Sequence, residues 1–300
     1  MTDPNKDQKE VDELSGVETT QHEWDGIREL DNPLPRWWLY IMYASIAISI
    51  VYWVLYPSIP LVNSYWEGTL GNRVSDRANV AEKMIEVQAD RSVFAEQLNA
   101  GSLDDIRGNE ELLEFALAAG TSAFGDNCAT CHGRGAQGFS GYPDLNDDSW
   151  LWGGTLDEIY TTIRFGIRHD HPQTHYSVMP SFLTDGTLDE AQVADLTEYV
   201  VALSGREADT EATRRARPLY VQNCATCHGA GGRGDRTQGA PNLTDIDWLY
   251  GEGDRESIAS TISYSRFGVM PAWEDRLDPT TVRALAIYVH SLGGGEEETR

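Results

Sequence analysis

The sequence predicts a mainly α-helical protein in which one N-terminal transmembrane helix is followed by two tandem domains of the same fold. Three observations predict this fold class: one long uncharged apolar run, an internal repeat in the rest of the chain, and a helical stretch that closes each copy of the repeat. The predicted segments are a short N-terminal tail, an anchor, a helical linker and the two domains, over residues 1–36, 37–57, 58–107, 108–206 and 207–300.

The apolar run, residues 37–56, reads WWLYIMYASIAISIVYWVLY and contains neither a charged residue nor a proline. A helix of this length covers the roughly 30 Å hydrocarbon core of a bilayer. Trp and Tyr residues stand at both of its ends, as in an aromatic belt. A cleaved signal peptide is the alternative, but the preceding segment is acidic and no small-residue cleavage site follows. We therefore predict an uncleaved anchor in a lipid bilayer.

The linker that follows the anchor carries apolar residues at helical spacing, which predicts one amphipathic helix. Two roles fit such a helix: a docking surface for a partner subunit, or a spacer between the membrane and the domains. The apolar stripe comprises Val80, Met84, Val87, Phe94 and Leu98.

The chain is strongly acidic, with 23 Lys and Arg against 48 Asp and Glu and a formal net charge of -25. Binding to the phosphates of nucleic acid requires the opposite sign, so nucleic acid is excluded as a partner. A cationic protein partner fits this charge, because long-range attraction would steer it to the surface. The alternative is that the charge serves only solubility.

An internal repeat organises the chain after the linker. The heptapeptide NCATCHG occurs at Asn127–Gly133 and again at Asn223–Gly229, and shorter motifs recur in the same order after each copy. Each copy closes with a helical stretch that ends at glycine, LTEYVVALSG and LAIYVHSLGG. A long repeat that is used only twice is typical of tandem domains rather than of a solenoid.

Both heptapeptides contain C-x-x-C-H, the attachment motif of c-type haem. Two thiols at this spacing reach two vinyl groups on one edge of the macrocycle, and the His that follows faces the iron. A four-thiolate zinc ribbon needs the two Cys pairs much closer together, and a thioredoxin-like motif needs a βαβ context. We therefore predict two covalently bound haem c groups in two class I cytochrome c domains. Their residues are Cys128, Cys131 and His132 in the first copy and Cys224, Cys227 and His228 in the second.

The orientation of the anchor follows from the haem motifs. Covalent haem attachment takes place outside the bacterial cytoplasm, so both domains are expected in the periplasm. The N-terminal tail is then cytoplasmic, and the chain is a single-pass protein of the bacterial inner membrane.

Two methionines occupy matched positions after the haem motifs, Met179 in SVMPSF and Met270 in GVMPAW. A thioether is a soft axial ligand that raises the potential of a haem, and the proline that follows keeps each loop from being helical. We predict that both methionines are axial ligands of the irons. A loop inserted before Met179 carries His169, His171 and His175, which are alternative ligands for the first iron.

Further residues occupy equivalent places in the two copies. Arg164 and Arg266 are candidates to bind haem propionates, since an Arg fork suits a carboxylate; the alternative is an exposed surface arginine. Trp152 and Tyr250 are candidates to cap the haems or to pack in the cores. No Ser-His-Asp or paired-carboxylate arrangement accompanies them, so no catalytic residue is predicted and the expected chemistry is one-electron transfer.

The block HEWDGIRELDNPLPRWW runs from His22 to Trp38 directly into the anchor. With this block, the two NCATCHG copies and the two Met-Pro loops, the chain resembles the dihaem subunit III of cbb3-type cytochrome c oxidases. The resemblance implies a non-catalytic subunit that takes electrons from a soluble or membrane-bound cytochrome c, and the net charge of the chain suits a cationic donor cytochrome c. It would pass them to a monohaem cytochrome c subunit, which feeds the haem–copper catalytic subunit that reduces O2 and pumps protons. It also implies that the first haem motif pairs with Met179 and the second with Met270.

Two other function classes remain open on the residues alone. A membrane-anchored dihaem peroxidase would need one iron with an open or displaceable ligand, against which the two matched methionines argue. An anchored electron carrier for another periplasmic reductase or dehydrogenase has the same haem motifs, and only the N-terminal block distinguishes it.

Overall fold

The computed structural model describes residues 10–56, 59–63, 66, 68–70 and 76–297. The described part of the chain is mainly α-helical, as predicted, and divides into an N-terminal unit that ends at Val87 and a C-terminal unit that begins at Gln88. Its elements in chain order are β1 (Thr19–Trp24), β2 (Ile27–Leu30), α1 (Arg36–Leu55), α2 (Asp76–Ala100), α3 (Leu103–Arg107), α4 (Glu110–Asn127), α5 (Ala129–His132), α6 (Leu156–Phe165), α7 (Glu190–Leu203), α8 (Thr210–Asn223), α9 (Ala225–His228), α10 (Arg255–Tyr264) and α11 (Pro279–His290).

Helix α1 is the predicted anchor. Its 20 residues are long and apolar enough to cross a membrane, and none of its side chains is buried within the protein. The helix begins after Pro35, whose fixed backbone suits the entry to a helix. It ends at Leu55, and the predicted last residue of the anchor, Pro57, lies outside the described residues.

A β-hairpin that was not predicted from the sequence precedes the anchor and overlaps the block His22–Trp38. Strands β1 and β2 pair antiparallel, with Trp24 opposite Ile27. Asp25 and Gly26 form the turn with φ angles of 48° and 83°. Two left-handed residues in an Asp-Gly pair are typical of the two-residue turn that matches the twist of a hairpin.

Helix α2 lies within the predicted linker, and its apolar stripe is buried only near its C-terminal end. Leu98 is fully buried, and the ring of Phe94 stacks on Phe115 of α4 at 5.1 Å. Val80 and Met84, earlier in the same stripe, are exposed.

The C-terminal unit contains two helical lobes. In lobe A, α4 packs against α11, and α6 packs against α11; in lobe B, α7 packs against α8 and α10. Lobe A is therefore built from two separate stretches of chain, residues 103–166 and 268–292. Lobe B is one continuous stretch, residues 178–266, and the crossover segment 167–177 joins the two lobes.

The two lobes group the helices differently from the two domains predicted on either side of residues 206 and 207. The two repeats do follow one another in the sequence, but each lobe combines the first part of one repeat with the closing helix of the other. Aromatic contacts show the exchange directly. Phe124 of α4 packs on Tyr288 of α11 at 5.3 Å, and the equivalent Tyr220 of α8 packs on Tyr199 of α7 at 4.8 Å.

Charged residues on α7 explain why it packs in lobe B. Asp195 forms an ion pair of 2.6 Å with Arg215 of α8, and Glu198 forms one of 2.5 Å with Arg255 of α10. The side chains of both acids are largely shielded from solvent, with 16% and 18% of their surface exposed. Separating either acid from its arginine would leave a poorly solvated carboxylate without its cationic partner.

The matching positions on α11 are apolar. Ala284 and Ile287 occupy the places that Asp195 and Glu198 hold in α7, and both are buried in lobe A. Exchanging α7 and α11 would therefore place carboxylates in an apolar core and would leave two arginines unpaired. This difference between charged and apolar residues favours the observed pairing of helices over a pairing within each repeat.

The C-terminal tail joins the two lobes. The backbone N–H of Glu296 donates to the carbonyl of Gly154 in lobe A at 2.8 Å. Its carboxylate accepts two hydrogen bonds from the guanidinium of Arg236 in lobe B, at 2.6 and 2.7 Å. The tail thus fastens the loops of the two lobes to each other.

Candidate functional site

The two haem motifs adopt the same local geometry. In lobe A, Cys128 follows the last residue of α4, and the single turn α5 carries the remaining motif residues. In lobe B, Cys224 follows α8, and α9 carries the rest of the motif in the same way. One helical turn places both cysteines and the histidine on one side of the chain, as attachment to a single macrocycle requires.

Each motif histidine is held by a backbone carbonyl. The Nδ1 atom of His132 lies 3.1 Å from the carbonyl oxygen of Pro143, and that of His228 lies 2.9 Å from the carbonyl oxygen of Pro241. Burial lowers the pKa of both imidazoles, which keeps them neutral. A neutral ring that donates from Nδ1 presents Nε2 as the free lone pair, the arrangement typical of a metal-ligating histidine.

The structure packs Met270 against the core of lobe A, the same core that Cys128 packs against. It places Met179 in the core of lobe B, beside Cys224, and the cavity that Met179 lines also includes His228. The structure therefore groups the two methionines with the two haem motifs in the opposite way from the pairing that the resemblance implies. The reason is that the two lobes exchange the second parts of the repeats. Each methionine therefore packs in the lobe that contains the haem motif of the other repeat.

A cavity in lobe B fits a haem. Its lining is mostly apolar, from α7, α8 and α10, and it converges on the haem motif and Met179. Burial raises the pKa of Cys224 to about 11, and of Cys128 in lobe A to about 11 as well. These thiols are neutral near pH 7, which is compatible with thioether formation.

The two candidate propionate arginines are in different environments. Arg266 lines the cavity of lobe B, stacks over the ring of Tyr250 at 4.5 Å, and donates to Ser257 and Thr261 of α10. It has no carboxylate partner among the described residues. Its charge is therefore free to meet a propionate.

Arg164 does not share this environment, although it holds the equivalent place in the repeat. Its guanidinium is ion-paired with Glu274 and lies over the ring of Phe165 at 4.5 Å. A carboxylate of the protein thus already balances its charge. The structure supports a propionate role for Arg266 more than for Arg164.

The loop histidines are half-buried rather than fully exposed. His171 stacks on Phe165 at 4.9 Å, and His175 stacks on Trp152 at 4.5 Å with its Nε2 atom 3.1 Å from the hydroxyl of Thr162. His169 has a buried Nδ1 atom without a partner. None of the three lines the cavity of lobe B.

The two equivalent aromatic residues each reach the other lobe. The ring of Trp152 lies against Gly239, where a Cβ atom would be 2.3 Å from it, and the ring of Tyr250 lies against Gly141, where a Cβ atom would be 3.1 Å away. Both glycines belong to the loops that follow the haem motifs. These rings therefore pack in the contact between the lobes.

The two Cys pairs lie in separate cores, Cys128 in lobe A and Cys224 in lobe B. Within the described ranges, no group of three or more His, Cys, Asp and Glu residues is arranged to hold a metal ion. The zinc-ribbon alternative therefore has no support in the fold.

Sequence reasoning missed one residue that contacts both methionine loops, Arg168. It lies in the inserted loop and has no counterpart in the second repeat, so comparing the copies gives no signal for it. The only sequence signal is an arginine next to a run of histidines in a strongly acidic chain.

An open acidic groove runs along the haem-motif loops of both lobes. Burial raises the pKa of Asp147 in this groove, and the carboxylates of Asp144, Asp247 and Asp148 raise it further, against a lowering hydrogen bond from the backbone of Ser149. Crowded carboxylates of this kind repel one another when they are ionised.

Replacement of Asp147 by Asn is expected to raise the melting temperature at pH 7 and to have little effect near pH 3. A carboxyl whose pKa is raised on folding destabilises the protein as the pH rises from the ordinary value of about 3.9 through the raised one. Replacement of Asp105 by Asn should instead lower the melting temperature at pH 7, because hydrogen bonds from Ser102 lower the pKa of Asp105 in the folded protein. Melting curves at the two pH values test both signs, and a lower melting temperature for Asp147→Asn at pH 7 would contradict the expectation.

Comparison with known proteins shows the family to which the chain belongs. A family model described as the N-terminal domain of cytochrome oxidase-cbb3, FixP, matches residues 16–63, and one described as cytochrome c oxidase, cbb3-type, subunit III, matches residues 115–200 and 211–289. The cbb3-type cytochrome c oxidase subunit CcoP of Azospirillum brasilense is 48% identical, over 96% of this chain and 99% of the relative. Subunit FixP of Bradyrhizobium diazoefficiens is 48% identical over 97% of this chain and 99% of its own, and subunit CcoP of Cereibacter sphaeroides is 46% identical over 93% and 95%. The chain therefore belongs to the family of cbb3-type cytochrome c oxidase subunit III proteins.

Proposed function

We propose that this chain is the dihaem electron-transfer subunit of a cbb3-type oxidase in the bacterial inner membrane. It takes electrons from a cytochrome c donor and passes them to the monohaem cytochrome c subunit and onward to the haem–copper catalytic subunit. The observation that carries the proposal is that each lobe joins one CxxCH turn, with its histidine held through Nδ1, to one methionine in the same core.

In lobe A, Cys128 and Cys131 would hold one haem covalently, and His132 and Met270 would ligate its iron. In lobe B, Cys224, Cys227, His228 and Met179 would have the same roles. An iron held by His and Met would exchange single electrons at a raised potential. A peroxidase would need an open or displaceable ligand position, and a methionine in each lobe argues against one.

The protein's own residues orient and shield these groups. Pro143 and Pro241 hold the ligating rings in one tautomer through their carbonyl oxygens. The apolar cores exclude water, which favours a high potential because it disfavours the more charged oxidised state. Arg266 supplies a positive charge at the cavity of lobe B, where it would meet a propionate.

The acidic groove and the net charge of -25 support a cationic donor. Association with such a donor is expected to slow as ionic strength rises, since the Debye length falls to about 8 Å at physiological salt. The periplasmic side is proposed for the C-terminal unit, because haem attachment takes place there, and the hairpin before α1 is then cytoplasmic.

The ligand sets are tested by removing one haem and then each methionine. With Cys128 and Cys131 replaced by Ser, the remaining haem of lobe B should keep the methionine-to-iron charge-transfer band and a His/Met magnetic circular dichroism spectrum. Adding Met179→Leu should abolish the band, whereas adding Met270→Leu should leave it, because Met270 lies in the other lobe. The reverse result would restore the tandem pairing, and a His/His spectrum in lobe A of the intact protein would assign a loop histidine there.

A further inference from the structure

Arg168 contacts the loops of both candidate methionine ligands. Its Nε atom donates to the carbonyl of Gly268 at 2.6 Å, and its Nη1 atom donates to the carbonyl of Ser177 at 3.1 Å. Gly268 lies two residues before Met270 in lobe A, and Ser177 lies two residues before Met179 in lobe B. One guanidinium therefore bonds to the same position of two loops that belong to different lobes.

The surroundings of Arg168 indicate that the side chain is held in place for these bonds. It is half-buried in an acidic protein, and burial lowers the pKa of its guanidinium. No carboxylate among the described residues lies within ion-pair distance of it. Its backbone has a φ of 54°, the left-handed region that a side chain other than that of glycine rarely adopts. Such strain persists only where the surrounding structure enforces it.

The backbone beside Arg168 reinforces the contact with lobe A. Ile167 and Met270 exchange two backbone hydrogen bonds of 3.0 Å each. A Cβ atom at Gly166 would lie 2.4 Å from the carbonyl oxygen of Met270, so only glycine permits this approach. The crossover segment thus bonds to Met270 through its backbone, and the side chain of Arg168 bonds to Ser177, two residues before Met179.

We infer that Arg168 is a positioning residue that holds both methionine loops at once, so that one guanidinium supports both methionine–iron bonds. The inference rests on the ligand sets proposed above. Because each hydrogen bond restrains a loop close to its methionine, loss of the guanidinium frees both loops to move away from the irons. A competing ligand from solution then replaces either methionine more readily.

Imidazole binding to the oxidised full-length holoprotein in detergent tests this inference, with loss of the methionine-to-iron charge-transfer band as the readout. Arg168→Met should lower the imidazole concentration at which the band is half lost roughly tenfold, as expected from the loss of one charged hydrogen bond at each loop. The shift should affect the full amplitude of the band, since both methionine loops are released. Arg206→Met is the matched control. Arg206 also lies over an aromatic ring, that of Trp248 at 5.5 Å, but it contacts neither loop.

Arg168→Lys is the second variant, should Arg168→Met fail to load haem. Lysine keeps the charge but lacks the planar fork, so it cannot hold the two carbonyls in this geometry, and a lowered midpoint is again expected. An unchanged midpoint, or a shift in only half of the band, would overturn the role in both loops. A wild-type protein without the band would overturn the ligand sets and this inference with them, whereas a wild-type band that Arg168→Met leaves unchanged would overturn the inference alone.

Discussion

A fragment of residues 178–266 is expected to fold around one covalently bound haem with His and Met ligation, whereas a fragment of residues 207–300 is not. The first fragment contains lobe B as one continuous piece. Every residue in the core of that lobe lies between Met179 and Ile262. The second fragment is the domain that the repeat alone predicts, but it lacks α7 and Met179 and contains α11 in their place.

In the second fragment α11 would have to take the place of α7, and its side chains do not complement those of α8 and α10. Arg215 and Arg255 would lose their carboxylate partners on α7 and would face Ala284 and Ile287 of α11 instead. The close crossing between α4 and α11 also depends on a glycine in α4, and α8 has Ala216 at that place. A methyl group there would push the two helices apart.

Both fragments should be produced in the periplasm with the haem attachment machinery and compared with the full chain. The expected result for 178–266 is one haem per chain, the methionine-to-iron band and a cooperative thermal transition. For 207–300 we expect attached haem without a stable methionine ligand. Met179→Leu in 178–266 is the control and should remove the band. A His/Met spectrum from 207–300, with none from 178–266, would contradict the exchanged arrangement.

The haem motifs, the anchor and the helical class could be read from the sequence because each depends on local spacing. The packing partner of the closing helix of each repeat could not be predicted, because α7 and α11 bury apolar residues at the same positions. Val193, Leu196 and Val200 in α7 match Val282, Leu285 and Val289 in α11, and all six are buried. On hydrophobic pattern alone, either helix satisfies either lobe.

The signal that distinguishes the two helices lies in the residues between those buried positions. Asp195 interrupts the stripe of α7 where α11 has Ala284, and Arg215 of α8 stands where α4 has an alanine. One acid and one base that are missing together from the other copy indicate a contact between α7 and α8. The hairpin turn at Asp25 and Gly26 was also legible, since Asp-Gly between two extended segments is a strong hairpin signal.

The bonds of the C-terminal tail and of Arg168 were beyond sequence reasoning for a different reason. Glu296 and Arg168 bond mainly to backbone carbonyl and N–H groups or to residues distant in the sequence. Every residue offers the same backbone groups, so no residue pattern indicates such a partner. These contacts follow only from the way in which the two lobes meet.

Replacement of Gly120 by Ala is expected to destabilise lobe A selectively, and replacement by Leu should prevent its assembly. Gly120 lies in α4 at the crossing with α11, where a Cβ atom would be 2.4 Å from the carbonyl oxygen of Ala284 and 2.6 Å from the Cβ of Tyr288. A backbone oxygen in a helix cannot rotate away, so the helices must separate. Overpacking of this kind costs about 1–3 kcal/mol for a small group and more for a large one.

Gly125 of the same helix is the matched control, because a Cβ atom there would meet nothing within 4 Å. Gly125→Ala should stabilise α4 by about 0.5–1 kcal/mol, since alanine loses less backbone entropy than glycine in a helix. Denaturant unfolding can be followed at the methionine-to-iron band. For the haem of lobe A, the denaturant midpoint should fall with Gly120→Ala and rise with Gly125→Ala. The haem of lobe B should keep its midpoint in both variants, because neither α4 nor α11 contributes to its core. Equal loss at both haems after Gly120→Ala would contradict a lobe that is closed by α4 and α11 alone.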